Sequence, residues 1–215
     1  MAERTLIDQQ AQKFFEDLWQ KGDHWEFDHS EFEQKRFARL LALLNGQRYA
    51  RVLEIGCGTG AFTHYLAHLA DYVLALDISP TAIAQARPLS PACPIIHFRQ
   101  ANVMEYDVQA EGPWDLIVIS DIMCYLGWLY SFFDVGWLVS QLFAATCIGG
   151  RCLFANAMGD FGDMLLLPWL IYTYRDLFCN VGYRTEIEEL FRSTKYGVPI
   201  ETLMTLFIKE AEQHT

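Results

Sequence analysis

Basic residues are the scarce class in this chain of 215 residues. Lysine and arginine total 16 against 27 aspartate and glutamate residues, which gives a formal net charge of −11. A protein that binds nucleic acid presents a basic face to the phosphates. The charge balance therefore argues against a nucleic-acid partner, although it identifies no substrate.

Paired metal-binding or disulfide-forming cysteines are lacking as well. The six cysteines form no C-x-x-C pair, and several lie in apolar runs, so we interpret them as reduced core residues of a cytoplasmic protein. His64 and His68 have the spacing of two metal ligands on a helix, but no third ligand accompanies them. We predict no metal site. The first residues contain no apolar region of the signal-peptide type.

Long uninterrupted apolar runs are also missing. Between residues 122 and 148 the only formal charge is Asp134, yet glycine, serine and glutamine interrupt this stretch. A membrane-spanning helix needs roughly 20 consecutive apolar residues. The stretch therefore predicts buried helices and no membrane span.

Alternating strands and helices begin after two N-terminal helices, one over residues 5–20 and one from Ser30, where Glu33 would complete a capping box. Five strands are predicted at 51–55, 72–76, 95–99, 114–119 and 151–155. Two more, at 184–191 and 202–209, are joined by a short segment without a helix. Those two must be antiparallel, because a parallel crossover needs about a dozen residues.

A glycine loop follows the first strand and predicts a cofactor site. Gly56, Gly58 and Ala61 satisfy the dinucleotide fingerprint, which alone is a weak signal. Asp77, at the end of the second strand, can accept hydrogen bonds from both ribose hydroxyls, or instead cap the next helix. A nicotinamide-dependent reductase is one interpretation, although the chain has no Tyr-x-x-x-Lys pair.

The same loop, with Glu54, Gly56, Gly58 and Gly60, resembles the E/D-x-G-x-G-x-G loop of class I S-adenosylmethionine (SAM)-dependent methyltransferases. The resemblance implies a Rossmann-like seven-stranded sheet with a terminal antiparallel hairpin and helices on both faces. It also implies SAM as cofactor, S-adenosylhomocysteine as product, and a loop, including Cys57, that passes over the methionine part. The terminal hairpin favours SAM, because a full dinucleotide-binding domain would supply a sixth parallel strand.

Adenine contacts are expected after the second and third strands. Asn102 stands where this class often has an acid, and its amide oxygen can accept the same bond from the adenine amino group. Ile78 and Val103 are candidates to sandwich the ring, with core packing as the alternative.

Residues after the fourth strand face the transferred methyl group in this class. Ser120 is accordingly a predicted cofactor contact, and Asp121 is the predicted catalytic carboxylate with Tyr125 one helical turn further on. A helix cap and a packed tyrosine are the alternatives. Six nearby aromatic residues could line an acceptor pocket, or belong to the core or a dimer contact: Tyr125, Trp128, Tyr130, Phe132, Phe133 and Trp137.

A narrower resemblance is carried by Trp25 with Phe32-Glu33-x-x-Arg36, by residues 53–67, and by residues 119–127. These segments are similar to the nodulation protein S family, class I N-methyltransferases that act on the free amine of a chitooligosaccharide. The resemblance implies that residues 1–46 form a helical lid on a SAM-binding domain, 47–215, within one structural domain.

By this analogy Trp25 and Arg36 would close over the methionine end, with Arg36 pairing with its carboxylate. A hydrophobic staple and a solvated helix face are the alternatives. Asp121, where that family tends to have glutamate, and the aromatic, apolar stretches 128–137 and 161–179 depart from the family pattern and leave the substrate open.

The sequence therefore predicts a SAM-dependent methyltransferase that acts on a small-molecule nucleophile, most readily the amine of a sugar or natural-product-like acceptor. Two alternatives stay open: an O-methyltransferase of a small hydroxylated or aromatic metabolite, and a catalytically silent partner subunit with the same fold. The predicted state is a cytoplasmic monomer or homodimer.

Overall fold

A computed structural model describes residues 2–27, 29–44, 46–89, 93–159 and 164–211. These residues form two compact units that divide after Asp107. The first unit opens with two helices, α1 (Ala2–Trp19) and α2 (Glu31–Leu43). Trp19 at the end of α1 and Leu40 within α2 are buried, as the helical spacing of their apolar residues predicts.

The first unit then alternates strands with short helices. The elements are β1 (Tyr49–Ile55), α3 (Ala61–Ala67), β2 (Ala70–Asp77), α4 (Pro80–Ala86), a 3₁₀ turn (Arg87–Leu89) and β3 (Ile96–Gln100). The strands are parallel in the order β3-β2-β1. The carboxyl ends of parallel strands lie at the same edge of a sheet, so the loops after β1, β2 and β3 lie together at that edge.

The second unit holds the remaining strands and the more apolar helices. Its elements are β4 (Trp114–Ser120), α5 (Met123–Leu129), α6 (Phe132–Ala145), β5 (Thr146–Met158), α7 (Pro168–Val181), β6 (Arg184–Lys195) and β7 (Val198–Ile208). β4 and β5 are parallel, and β7 lies antiparallel between β5 and β6. Residues 161–163 of the predicted apolar stretch lie outside the described residues.

The terminal hairpin is confirmed, but its strands are longer than predicted. β6 and β7 continue to a two-residue turn, Tyr196-Gly197, in which both residues have positive φ (53° and 77°). That backbone matches the right-handed twist of paired strands, so pairing extends to the turn. β5 likewise begins at Thr146, five residues before the predicted start.

No helix within the described ranges is long and apolar enough to cross a membrane. The prediction of buried helices between residues 122 and 148 holds for one face only. Val135, Val139 and Leu142 of α6 are fully buried, whereas Phe133 and Trp137 are exposed.

Lys209 closes the C-terminal end of α6. Its ammonium group donates to the carbonyl oxygens of Phe143 (2.7 Å) and Thr146 (2.8 Å), and it lies over the Phe143 ring. The last carbonyl groups of a helix have no hydrogen-bond donor within the helix. Lys209 therefore supplies a donor to carbonyl oxygens that would otherwise lack one.

We expect Lys209→Met to lower the free energy of unfolding by about 1–3 kcal/mol, because the methionine fills similar space but donates no hydrogen bond. Urea denaturation measures the change. Lys21→Met, at an exposed position after α1, is the matched control and should shift the midpoint very little. Equal effects of the two substitutions would contradict the proposed role of Lys209.

Candidate cofactor and acceptor sites

The glycine loop after β1 has a backbone that only glycine adopts readily. Gly56, Gly58 and Gly60 have φ values of 77°, 54° and 83°. A β-carbon on Gly58 would lie 2.8 Å from Cζ2 of Trp19, so a larger residue would meet that ring as well as a strained backbone. The predicted loop is therefore formed, and Trp19, which the sequence did not single out, packs directly on it.

Asp77 fastens the loop to the end of β2. Its carboxylate accepts a hydrogen bond from the backbone N–H of Gly58 (2.9 Å) and another from that of Ser79 (2.9 Å). Burial, together with the nearby negative charge of Glu16, raises its pKa to about 6 despite these donors. Ser79, not Asp77, caps α4, since its hydroxyl accepts from the N–H of Ala82. The helix-cap alternative for Asp77 is thus wrong.

Glu54, in β1, is buried behind the glycine loop and bonds to α3. It is 4% exposed and bonded to the hydroxyl of Thr63 at 2.5 Å. Burial, reinforced by the charge of Asp77, raises the pKa of Glu54 to about 8. The carboxyl group is therefore mostly neutral at pH 7, and its visible role is to tie β1 to α3 behind the loop. A direct contact of Glu54 with the cofactor stays a prediction.

Glu16 of α1 holds the start of α4. Its carboxylate accepts hydrogen bonds from the hydroxyls of Ser79 (2.6 Å) and Thr81 (2.5 Å) and from the Thr81 N–H (3.2 Å). Burial acts to raise its pKa, but these bonds outweigh that effect and lower it to about 2. The first helix is thereby fixed next to the end of β2 by a carboxylate that stays charged.

The two residues predicted to close over the methionine end pack against other side chains of the protein, Trp25 half-buried and Arg36 buried. Trp25 contacts the rings of Trp19 and Phe27, with ring centres 5.1 and 5.8 Å apart. Arg36 is 3% exposed and pairs with Glu33 through Nη2 (2.7 Å). The solvated-face alternative for Arg36 is therefore wrong. So is the capping box, because Glu33 neutralises a buried guanidinium and Ser30 makes no side-chain cap.

A cavity of about 170 Å³ lies where adenine contacts are predicted. It is bounded by Ile78, Gln100 and Asn102 from the strand ends, and by Thr5, Asp8 and Gln12 of α1, among others. Asn102 donates from its amide nitrogen to Asp8 (3.0 Å) and accepts the Met104 N–H at its oxygen (3.0 Å). Val103 is buried, as its core-packing alternative predicts.

Asp121 in the second unit departs from the predicted geometry. It follows β4 in a left-handed conformation (φ 54°), and α5 starts only at Met123, so Asp121 and Tyr125 do not share a helical face. Its carboxylate accepts the Ala157 N–H at 2.6 Å, so it does not cap α5. Tyr125 and Ser120 are half-buried. A non-glycine residue in this conformation is frequently retained for function.

Asn156 of β5 is a polar residue that no sequence motif indicates. It is fully buried, and its amide oxygen accepts the Cys124 N–H at the start of α5 (3.3 Å). Together with the Asp121–Ala157 bond, it fixes the β4–α5 connection to β5. A single asparagine in an apolar strand gives little warning of this role.

The aromatic group of the second unit splits in two. Tyr130 is buried, but Trp128, Phe132, Phe133 and Trp137 are 53%, 52%, 88% and 69% exposed. The core interpretation is wrong for those four, and a pocket wall or a subunit contact stays open. Among the described residues no group of three or more His, Cys, Asp or Glu side chains could hold a metal ion.

Comparison with known proteins identifies the family. The family model of nodulation protein S (NodS) matches residues 8–132. The chain belongs to the nodulation protein S family. Nodulation protein S of Rhizobium tropici is 32% identical over 136 residues, which cover 63% of this chain and 55% of that protein. The malonyl-[acyl-carrier protein] O-methyltransferase of Enterobacter lignolyticus is 34% identical over 141 residues, 66% of this chain and 52% of that enzyme. The chain thus spans about half the length of these curated relatives.

A solved structure extends the likeness to the fold. The crystal structure of the N-methyltransferase NodS from Bradyrhizobium japonicum WM9 in complex with S-adenosyl-L-homocysteine matches with a TM-score of 0.74. The match covers 87% of this chain and 92% of that one at 21% identity. The predicted class I methyltransferase fold, with its terminal antiparallel hairpin, is confirmed.

The buried Glu54 yields a test of the electrostatics behind the loop. Because its pKa is raised in the folded protein, its neutral form stabilises the fold fully below the unfolded value of 4.5. That stability is lost as the pH rises through about 8. We expect Glu54→Gln, which keeps a donor and an acceptor for Thr63 but cannot ionise, to remove most of this loss.

The measurement is the melting temperature between pH 4 and pH 9, a range that brackets both values. The wild type should lose stability toward the alkaline end, whereas Glu54→Gln should give a flatter profile. Glu31→Gln, an exposed carboxylate paired with Lys35, is the control and should keep the wild-type slope. Parallel profiles for wild type and Glu54→Gln would show that Glu54 is already charged at neutral pH.

Proposed function

We propose that this chain is a SAM-dependent methyltransferase that acts on a small-molecule nucleophile, with an amine as the preferred acceptor. The observation that carries the proposal is the glycine loop fastened through Gly58 to the buried carboxylate of Asp77, in a member of the nodulation protein S family. When bound, SAM supplies a methyl group on a positively charged sulfur, already activated toward a nucleophile. Cytoplasmic location and a monomeric or homodimeric state remain predictions.

The donor set of the first unit fits this cofactor. An ionised carboxylate has about four acceptor positions. The N–H groups of Gly58, Ser79 and Ile78 use three at Asp77, which leaves capacity for a ribose hydroxyl. The adjoining cavity combines an apolar side chain, Ile78, with polar groups at its edges. SAM also carries a net positive charge, which the acidic Glu16 and Asp77 favour.

The N-terminal segment, residues 1–46, serves in this proposal as the lid. Trp19 and Phe27 already pack against Gly58, and Glu16 holds α1 to the start of α4. Arg36 has five N–H donors, so its pairing with Glu33 does not by itself prevent a second carboxylate from binding. The lid thereby shields the loop from water, which strengthens each electrostatic contact there.

Asp121 is the proposed catalytic carboxylate of the acceptor side, with Tyr125 as its neighbour. Its position is fixed by the Ala157 N–H, and its backbone is held in a conformation that costs free energy. A fixed carboxylate can hold the proton that an ammonium acceptor must lose before methylation. An amine needs less such help than a hydroxyl group, which favours N-methylation.

O-methylation stays as the second candidate, because a relative of similar identity is a malonyl-[acyl-carrier protein] O-methyltransferase. A catalytically silent partner subunit is the third. One experiment separates these functions. The full chain is incubated with SAM and, in parallel, with free-amine chitooligosaccharides, simple amines, and hydroxylated aromatic acceptors, and products are analysed by mass spectrometry.

We expect an amine product that is one methylene heavier than its acceptor. A hydroxyl product alone would establish O-methylation instead. Calorimetry in the same preparation should detect binding of SAM and not of NADH. Binding of SAM without any product from the panel would favour the silent partner, and binding of NADH without SAM would contradict the whole proposal.

Asp121→Asn is the sharpest test of the catalytic assignment. Asparagine tolerates the left-handed backbone and keeps an oxygen for the Ala157 N–H, so only the charge is removed. We expect kcat to fall by about 10²-fold with little change in SAM affinity. Asp134→Asn at the start of α6 is the control and should retain wild-type kcat. Unchanged turnover by Asp121→Asn at saturating acceptor would refute the assignment.

A further inference from the structure

Asp8 of α1 lies next to the position after β3 at which this class of enzyme often has an acid and this chain has Asn102. That acid is replaced by Asn102, whose amide nitrogen donates to Asp8 Oδ1 at 3.0 Å. Asp8 is 94 residues from Asn102 in the chain and 8% exposed. A carboxylate, which also pairs with Arg4 (3.7 Å), therefore lies beside the end of β3 although β3 does not encode it.

The surroundings of Asp8 suit a nitrogen-rich ring. Asp8 bounds the 170 Å³ cavity together with Ile78, Gln100 and Asn102. This volume is below the roughly 300–1,000 Å³ of sites for drug-sized ligands, so it suits a single ring system. Ile78 directly follows Asp77, the proposed ribose contact, which puts the cavity next to the sugar position. The cavity thus offers an apolar side chain for a ring face and a carboxylate for a ring edge.

Asn102 is less suited to the role that the sequence assigns to it. Its amide oxygen already accepts the Met104 N–H at 3.0 Å, and its amide nitrogen is engaged by Asp8. These two bonds orient the side chain so that it positions Asp8. Glu105 also bounds the cavity, and burial together with the charge of Asp8 raises its pKa, so two carboxyl groups lie at this edge.

We propose that the carboxylate of Asp8 accepts a hydrogen bond from the exocyclic amino group of the cofactor's adenine, and that Asn102 positions Asp8 for this contact. The inference rests on the proposed function, since it takes SAM as the ligand. It assigns recognition of the base to the N-terminal helix, so the lid contributes specificity as well as cover. Charge and hydrogen bonding then select an amino group at this ring position over a carbonyl group.

The test compares S-adenosylhomocysteine with S-inosylhomocysteine, in which a carbonyl oxygen replaces the amino group. Both are measured by calorimetry, so no turnover is needed. A site that hydrogen-bonds a substrate group rejects an analogue that lacks it, and we expect wild-type protein to bind the adenosyl compound at least about tenfold more tightly. In Asp8→Asn the amide can donate to the carbonyl oxygen, so the ratio should fall toward one or invert.

Asp17→Asn is the matched control, an exposed carboxylate on the same helix paired with Lys13, and it should keep the wild-type ratio. Wild-type protein that binds both compounds equally would overturn the proposal whether or not any variant folds. An Asp8→Asn protein that keeps the wild-type ratio would overturn it too. Wild-type protein that binds neither compound nor SAM would instead point to failure of the proposed function.

Discussion

Burial of a charged carboxylate at the end of β2 is the constraint on which the first unit depends. Asp77 is removed from water, and the backbone N–H groups of Gly58 and Ser79 offset part of that cost. One donor comes from the glycine loop and the other from the start of α4, so a single side chain fixes both relative to β2. The raised pKa of Asp77 reflects the remaining cost, which a cationic ligand would reduce.

The two acids near Asp77, Glu54 and Glu16, limit the same electrostatic cost in different ways. Glu54 avoids repulsion by staying mostly neutral at pH 7, whereas Glu16 stays charged because hydroxyl groups and an N–H group surround it. Like charges held close together raise the free energy of the empty site. That cost is recovered when a cation binds, and SAM has one more positive charge than its demethylated product.

Local patterns predicted the parts of the fold that are set by local rules. An apolar run followed by three glycines fixed β1 and its loop, and the short segment before β7 fixed the antiparallel hairpin. Lengths were less predictable, since β5 begins at Thr146 through pairing that no local signal marks. Asp121 was found from its place after β4, but no local signal marks its left-handed backbone or its bond to Ala157, 36 residues away.

The polar residues of α1 could not be predicted for a different physical reason. Asp8, Gln12 and Glu16 recur every four residues, which in an isolated helix is indistinguishable from a solvated face. Only the folded unit brings Asp8 to Asn102 and Glu16 to Ser79. From the sequence motif alone, Asn102 after β3 shows only that the acid common in this class is absent there. In the folded unit, the hydrogen bond between Asn102 and Asp8 places a carboxylate of α1 beside the end of β3. A motif that has lost its acid can therefore still have a carboxylate at the site, supplied by a distant segment.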